Sequence, residues 1–405
     1  MRVAYISADL GVPVFGRKGC SIHVQEVLAA MLRRGAAVDL FSTSVEGAPP
    51  FKSDSLRVHA LPRPPKCDPA AREQAALSNN QVIRHALEEA GTFDLVYERY
   101  SLWSYSAMEF ARDNRVPGLV EINAPLIDEQ AQYRVLVDRA SAERVAERLF
   151  GSATALLGVS REVAAWVEKF PGTGGKVHVV PNGIRPERFP ANLPPALPAP
   201  TGAFTVGFVG TLKAWHGLSI LVEAFAQLRG TRPNARLLIV GDGPELENIV
   251  TDLSERRLAD SATLTGAVDP SAVPGLLASM DVAVAPYPAL AHFYFSPLKV
   301  YEYMAAGVPV VASRIGQLQS LIEPDVTGLL VTPGVAQELA AALERLHDEP
   351  ELRQRLGARA RAEVLREHTW DAVARRIFNL ARVAPRVLKP VLPKAHRHHV
   401  ATPVL

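Results

Sequence analysis

The chain has 405 residues, too many for one ordinary hydrophobic core, so two or three domains are expected. Apolar residues at 48% and charged residues at 21% describe a globular protein, and Lys+Arg 44 against Asp+Glu 42 leaves no basic excess of the kind that nucleic acid recruits. Two cysteines, Cys20 and Cys67, are too few for a disulfide framework or a structural zinc site and fit a reducing, cytoplasmic setting.

The opening MRVAYISA is too short for the apolar region and cleavage site of a signal peptide and reads as a first strand. No uncharged window is long enough for a transmembrane helix. Short apolar runs predict strands at Val3–Ser7, Val38–Ser42, Arg57–Leu61, Leu95–Glu98, Gly118–Ile122, Ala155–Val159 and Val177–Val180. Between the first two, Val24, Val27, Leu28, Met31 and Leu32 form a helical apolar stripe closed by Gly35. Arg134–Phe150 reads as a charged, partly exposed helix. Strand–helix alternation of this kind argues for a parallel sheet covered on both faces. Residues 190–203, PANLPPALPAPTGA, break the pattern and read as linker.

Alternation then restarts, with strands at Thr205–Val209, Leu237–Val240, Thr263–Thr265, Val282–Ala285, Pro309–Ala312 and Leu329–Val331. Helical patterns lie at Leu218–Leu228, Glu245–Arg256, Ala272–Ser279, Pro297–Ala306, Val335–Leu346 and Asp371–Ala384. The expected division is therefore 1–185, a Pro-rich linker at 186–203, 204–370, a closing helix at 371–384 that can cross back to the first domain, and a basic tail at 385–405. That tail reads as flexible, with a peripheral contact to an anionic membrane surface as its alternative.

Ligands of open α/β sheets bind beyond the carboxyl ends of the strands, so the loops there carry the chemistry. After the first strand, LGVPVFGRKG places Arg17, Lys18 and Gly19 before a helix, a candidate anion cradle or a plain glycine-rich turn. In the second half, GTLKAWHG places Lys213 and His216 at a helix start, and GDGPE allows a backbone turn at Gly241 and Gly243. The stretch HFYFSPLKVYEYMAAGVPVV reads as loop, helix, stop and strand. Ser296 is the expected N-cap, Pro297 the first helical residue, and Gly307 the left-handed residue past the end. Leu298, Tyr301, Glu302 and Ala305 share a face, so one carboxylate sits on an apolar stripe without an evident donor. A ribose diol would supply donors; a glutamate at the helix edge reaching water is the plain alternative. Arg99, Glu121 and Asn123 stand at other strand ends, where they line a cleft or form ordinary ion pairs. Trp215 either covers a nucleotide or packs between domains, and His23 reads as a partly exposed helical residue.

The segments FVGTLKAWHGLSILVEAFAQL, LLIVGDGPEL, Thr265–Val268, MDVAVAPY and SPLKVYEYMAAGVPVVAS, in this order and spacing, resemble the donor-binding domain of retaining GT-B glycosyltransferases of family 4. VHVVPNGI, GCSIHVQEVLAAMLRRG and EINAPL resemble that family's first domain more loosely. The resemblance implies two Rossmann-like doubly wound α/β domains facing each other across a cleft. It implies metal-independent, cofactor-free transfer of a hexose-type unit from a nucleotide diphosphate sugar to a hydroxyl acceptor. A nucleotide-sugar epimerase of the same architecture and a non-catalytic sugar-binding protein are the alternatives. Glu302 takes the place of the ribose-binding glutamate, with Gly241, Gly243, Val268, Ser296, Pro297 and Leu298 around the donor nucleotide. Tyr294 stands where the sugar-contacting glutamate is expected, and Thr211 and His216 near the usual phosphate-binding Arg and Lys. Lys213 and His216 are then the candidates for the leaving phosphate, and Asn123 stands near the place of the family's histidine. Arg17, Lys18, Gly19, Arg99 and Glu121 are assigned to the phosphate and acceptor side.

Overall fold

The computed structural model describes residues 1–51, 53–63, 68–291 and 293–383. Cys67, His292, Ala384 and the basic tail at 385–405 lie outside the described residues. The first half forms strands β1 (Arg2–Ser7), β2 (Ala37–Ser42), β3 (Leu56–Ala60), β4 (Leu95–Arg99), β5 (Gly118–Ile122), β6 (Ala155–Gly158) and β7 (Val177–Val179). They make one parallel sheet in the order β3-β2-β1-β4-β5-β6-β7. The second half forms β8 (Phe204–Val209), β9 (Ala235–Val240), β10 (Ala262–Leu264), β11 (Val282–Ala285), β12 (Val310–Ser313) and β13 (Leu329–Val331). Their order is β10-β9-β8-β11-β12-β13, again parallel. Each order reverses beside its first strand, which puts a crevice at the carboxyl ends of β1 and β8.

Burial explains the unbroken apolar runs. Along β1, Val3 and Tyr5 enter one cluster while Ala4 and Ile6 enter the cluster on the opposite face. Leu237 and Ile239 of β9 are divided from Leu238 and Val240 in the same way. A strand covered on both faces needs apolar residues at every position. Among the described residues no helix is long and apolar enough to cross a membrane.

Two helix expectations need correction. The helix predicted at Arg134–Phe150 begins only at Arg139 and runs to Ser152, and a separate helix, Leu126–Tyr133, precedes it. Asp138 caps the Arg139–Ser152 helix by accepting from Ser141 N at 2.9 Å, and Glu73 accepts from Val137 N and Asp138 N at 2.9 Å each. A carboxylate from the Pro69–Ala90 helix thus holds the non-helical residues just ahead of this helix start. The Pro69–Ala90 and Pro350–Glu367 helices escaped the sequence reading, because charged and amide residues interrupt their apolar spacing. At the second correction, the helix after β11 spans Leu298–Ala305 and Pro297 is its N-cap, so Ser296 lies outside it. Ser296 Oγ instead accepts from Asn182 N at 3.3 Å, and its carbonyl from Asn182 Nδ2 at 3.2 Å. Gly307 does adopt the left-handed conformation, at φ 73°.

The chain passes between the two sheets twice. Ile184 N donates to His368 O at 2.8 Å and Trp370 N donates to Ile184 O at 3.0 Å, so the two passages lie side by side as a parallel bridge. Beyond the second passage, the Trp370–Val383 helix lies on the first sheet. Trp370, Val373, Ala374, Ile377 and Phe378 share a cluster with Val3, Tyr5 and Leu28. The Pro-rich stretch runs along the second domain, where Ala196 N donates to Gly275 O at 2.9 Å and Leu197 N to Ser279 Oγ at 3.0 Å. Trp370 is 3% exposed and meets His23 edge-on at 4.9 Å. Trp370→Ala should therefore lower stability by about 3–5 kcal/mol, measured by urea unfolding; a loss under ~1 kcal/mol would mean that the closing helix does not depend on this contact.

Candidate active site

Backbone packing builds the second domain's crevice first. Gly210 N donates to Val240 O at 2.9 Å, Leu212 N to Asp242 O at 3.0 Å, and Glu245 N to Leu212 O at 3.1 Å. The loops after β8 and β9 therefore lie against each other. A Cβ on Gly241 would collide with the Gly210 carbonyl, and one on Gly243 with the Leu212 backbone. These two glycines have a local structural reason to be small. On the short turn after Leu212, Lys213 Nζ lies over the Trp215 ring at 4.5 Å, and Trp215 is exposed. His216 Nδ1 sits 2.6 Å from Thr211 O. A carbonyl only accepts, so Nδ1 carries the proton and Nε2 is left as the acceptor of a neutral ring. Burial, aided by Lys299 and Lys213, pushes the His216 pKa down to about 4.

Glu302 projects from the Leu298–Ala305 helix into the same region. Its Oε1 accepts from Arg188 Nη1 at 2.7 Å, and Arg188 Nη2 donates to Pro270 O at 2.8 Å. The sequence reading found no donor for this carboxylate because Arg188 is far away along the chain. Among the described residues no donor reaches Oε2. Burial raises the carboxyl pKa despite Arg188, and Glu26 adds to the rise. Val268 packs against the cluster under this helix, in the loop that also carries Pro270. Arg17, from the loop after β1, lies close enough to Asp269 to lower that carboxyl's pKa, after the hydrogen bonds from Ser271. Arg17, Lys18 and Gly19 are exposed at the start of the Gly19–Arg33 helix.

The facing strand ends of the first domain carry a buried polar cluster. Glu121 Oε1 meets Arg99 Nη1 at 2.9 Å and His23 Nδ1 at 3.4 Å, and it accepts from Asn123 Nδ2. Its Oε2 accepts from the Tyr97 hydroxyl at 2.5 Å. Burial disfavours the charge, but His23, Arg99, Tyr97 and Asn123 together hold the carboxyl below its ordinary 4.5. His23 is 4% exposed, a correction to the expectation of partial exposure. Burial pushes its pKa down to about 4. Arg99 is thus the charge partner of Glu121 at neutral pH.

Two family models divide the chain. Residues 191–363 match "Glycosyl transferases group 1" and residues 17–188 match "Glycosyltransferase Family 4". The chain is a group 1 glycosyltransferase. It is 25% identical over 414 residues to a glycogen synthase of Mycobacterium tuberculosis, with 97% of this chain and 98% of that one covered. Among solved structures it is similar to the sucrose-phosphate synthase of Thermosynechococcus elongatus, with TM-score 0.72, 24% identity and coverage of 94% and 98%. It is also similar to Anabaena HepE in complex with UDP-glucose, with TM-score 0.67, 19% identity and the same coverage. These likenesses establish the GT-B architecture of two Rossmann-like domains.

In this glycosyltransferase the sequence-predicted residues fall into two groups. Lys213, His216, Gly241, Gly243, Val268 and Glu302 surround the carboxyl ends of β8 to β11, while Arg99, Glu121 and Asn123 form the first-domain cluster. Ser296 and Leu298 lie at the junction, Leu298 packing against the first domain's cluster beside buried Pro297. Tyr294 ties the junction together: its hydroxyl donates to Glu129 Oε2 at 3.1 Å and its carbonyl accepts from Ser160 Oγ at 2.9 Å. Glu129 also lines a cavity of about 780 Å³ in the first domain, together with Asp9, Thr43, Trp103, Ser104 and Arg134. Sequence reading missed this cavity, Arg188 and Lys299; only the position of Lys299, one helical turn before Glu302, was a usable signal.

Removing one member of a buried charge pair leaves the other uncompensated. Glu121→Gln should cost about 3–5 kcal/mol at pH 7. Because the folded carboxyl is held below 4.5, its contribution is complete above about pH 4.5 and is lost as the pH falls through the lowered folded value. Urea unfolding of wild type and Glu121→Gln at pH 7 and pH 3 should show the gap narrowing in acid; a gap that stays constant would exclude the Arg99 pairing as its source.

Proposed function

We propose that the chain transfers a sugar from a nucleotide diphosphate sugar to a hydroxyl acceptor, with retention at the anomeric carbon and without a metal ion. The observation that carries this reading is Glu302: one oxygen is held by Arg188, and among the described residues no donor reaches the other. A carboxylate fixed in this way accepts hydrogen bonds from the two hydroxyls of a ribose, and Arg188 keeps it oriented before the ligand arrives. The loops at Gly210–Gly217 and Gly241–Gly243 lie at the carboxyl edge of the second sheet, and Lys213 brings positive charge to it.

During transfer the bond from the anomeric carbon to the diphosphate oxygen breaks as the bond to the acceptor oxygen forms. The acceptor hydroxyl's proton passes to the leaving phosphate on the same face. The products are the glycoside and the nucleoside diphosphate, so charge builds on the leaving oxygen. Cations and backbone amides aimed there lower the barrier. Lys213, and Arg17 and Lys18 from across the crevice, can supply that charge. The first-domain cavity beside Tyr294 offers the acceptor a site whose wall joins Trp103 to polar side chains.

Incubation with a panel of nucleotide sugars, UDP-glucose first, should release one nucleoside diphosphate, and NMR of the product should show the donor's anomeric configuration kept. Turnover should survive EDTA; its loss, with rescue by a divalent ion, would overturn the metal-free step. Glu302→Gln should reduce kcat/KM for the donor by roughly 10- to 100-fold, the scale of a charge-assisted hydrogen bond, with the far-UV spectrum unchanged. Wild-type kinetics in that variant would sink the ribose assignment.

A further inference from the structure

Lys299 is the second residue of the Leu298–Ala305 helix and lies one turn before Glu302. Its ammonium nitrogen is fully enclosed and has no hydrogen-bond partner. It sits 4.2 Å from the centre of the Phe208 ring and 5.7 Å from that of Tyr287. A Cβ on Gly210 would lie 2.9 Å from this nitrogen, so the bare glycine is what lets the ammonium reach the loop after β8. No carboxylate among the described residues pairs with it. The titratable groups that face it are His216 on the turn after Leu212 and Tyr287 beyond β11; Lys213 acts on His216, and Glu302, on the same helix, is held by Arg188. Two aromatic faces compensate a buried ammonium only in part. An enclosed charge with no counter-ion carries a large desolvation penalty, and proteins retain one chiefly where a ligand completes it. Burial pushes the Lys299 pKa down to about 7, so without a partner the group is poised between charged and neutral.

The neighbouring candidates do not fill this role. His216 is neutral and spends its ring N–H on Thr211 O. Thr211 has no charge, and Lys213 is drawn over Trp215 at the rim. The enclosed cation at the floor of the crevice therefore comes from the Glu302 helix rather than from the loop after β8.

We propose that Lys299 is the counter-ion of the donor's diphosphate: the anion settles over Gly210 and takes the ammonium's hydrogen bonds as the ribose engages Glu302. This rests on the nucleotide-sugar reading above. Binding of the anion stabilises the charged ammonium, so the complex takes up protons from solution near and above neutral pH. The same charge then faces the leaving oxygen during transfer.

The test uses the nucleoside diphosphate released in the donor panel and the matching nucleoside, titrated calorimetrically into wild type, Lys299→Met and Glu302→Gln. Lys299→Met should weaken the diphosphate by roughly 10- to 100-fold and change the nucleoside by less than about threefold. Proton uptake with the diphosphate, measured at pH 8 in buffers of different ionisation enthalpy, should disappear in Lys299→Met. Without ligand that variant should melt no lower than wild type, since an apolar chain of similar length replaces an unpaired buried charge. Equal diphosphate affinity and equal proton uptake in the two proteins would overturn the assignment while leaving the nucleotide reading intact. So would a parallel loss of both ligands with a lowered melting temperature, which marks a structural lysine. Wild type that binds neither probe, and releases no nucleotide, overturns the underlying reading and this one with it.

Discussion

The pairing of Ile184 with Thr369 is the constraint on which the rest of this molecule depends. A chain that builds one sheet, leaves it and returns must pass between the two bodies twice, and here the two passages share backbone hydrogen bonds. Gly183 makes this possible, because a Cβ there would lie 2.7 Å from Thr369 C and Trp370 N. Two consequences follow. The closing helix becomes part of the first domain's core, and two arginines just past the first passage reach in opposite directions. Arg185 Nε donates to Glu26 Oε2 at 3.0 Å in the first domain, and Arg188 holds Glu302 in the second. One short segment thus orients a carboxylate on each side of the crevice.

The crevice also shows how buried charge is managed. Glu121, Glu26 and Glu302 each have an arginine, which suits a planar carboxylate. Glu98, enclosed on β4 with no hydrogen-bond partner, is pushed up to about 7 by burial, so protonation relieves its charge. Lys299 has neither an anion nor a hydrogen bond, and it lies where an anion is expected to arrive. Protonation thus relieves Glu98 in the first domain, whereas Lys299 in the second keeps its imbalance open.

At Tyr294, where the resemblance implies a glutamate, the side chain's partners are other protein groups. A glutamate in its place would bring a charge to the crevice. Tyrosine instead brings a ring that packs beside the first domain's cluster and a hydroxyl that reaches Glu129, at the edge of the first-domain cavity. With Ser160 on the Tyr294 carbonyl and Gln317 Nε2 on Val159 O at 3.0 Å, the second domain is fastened to the first across the crevice. One contact between the two domains therefore runs through a residue that binds protein.

The doubly wound architecture was legible along the chain because strands buried on both faces need unbroken apolar runs, as at Val3–Ile6 and Leu237–Val240. Glu302 was legible too, as a lone carboxylate on an apolar stripe. What periodicity could not reach was any pairing between distant segments. Arg188 meets Glu302, Glu73 holds Val137 ahead of the Arg139–Ser152 helix, and Asn182 takes Ser296 away from its expected capping role. His23 turned inward because Trp370, from the far end of the described chain, covers it. Nothing in the local sequence signals that Lys299 is enclosed; the loop after β8 encloses it. Local spacing decides which face of an element is apolar; only the tertiary fold decides which polar groups meet on it, because their energies depend on burial and partners that sequence distance does not encode.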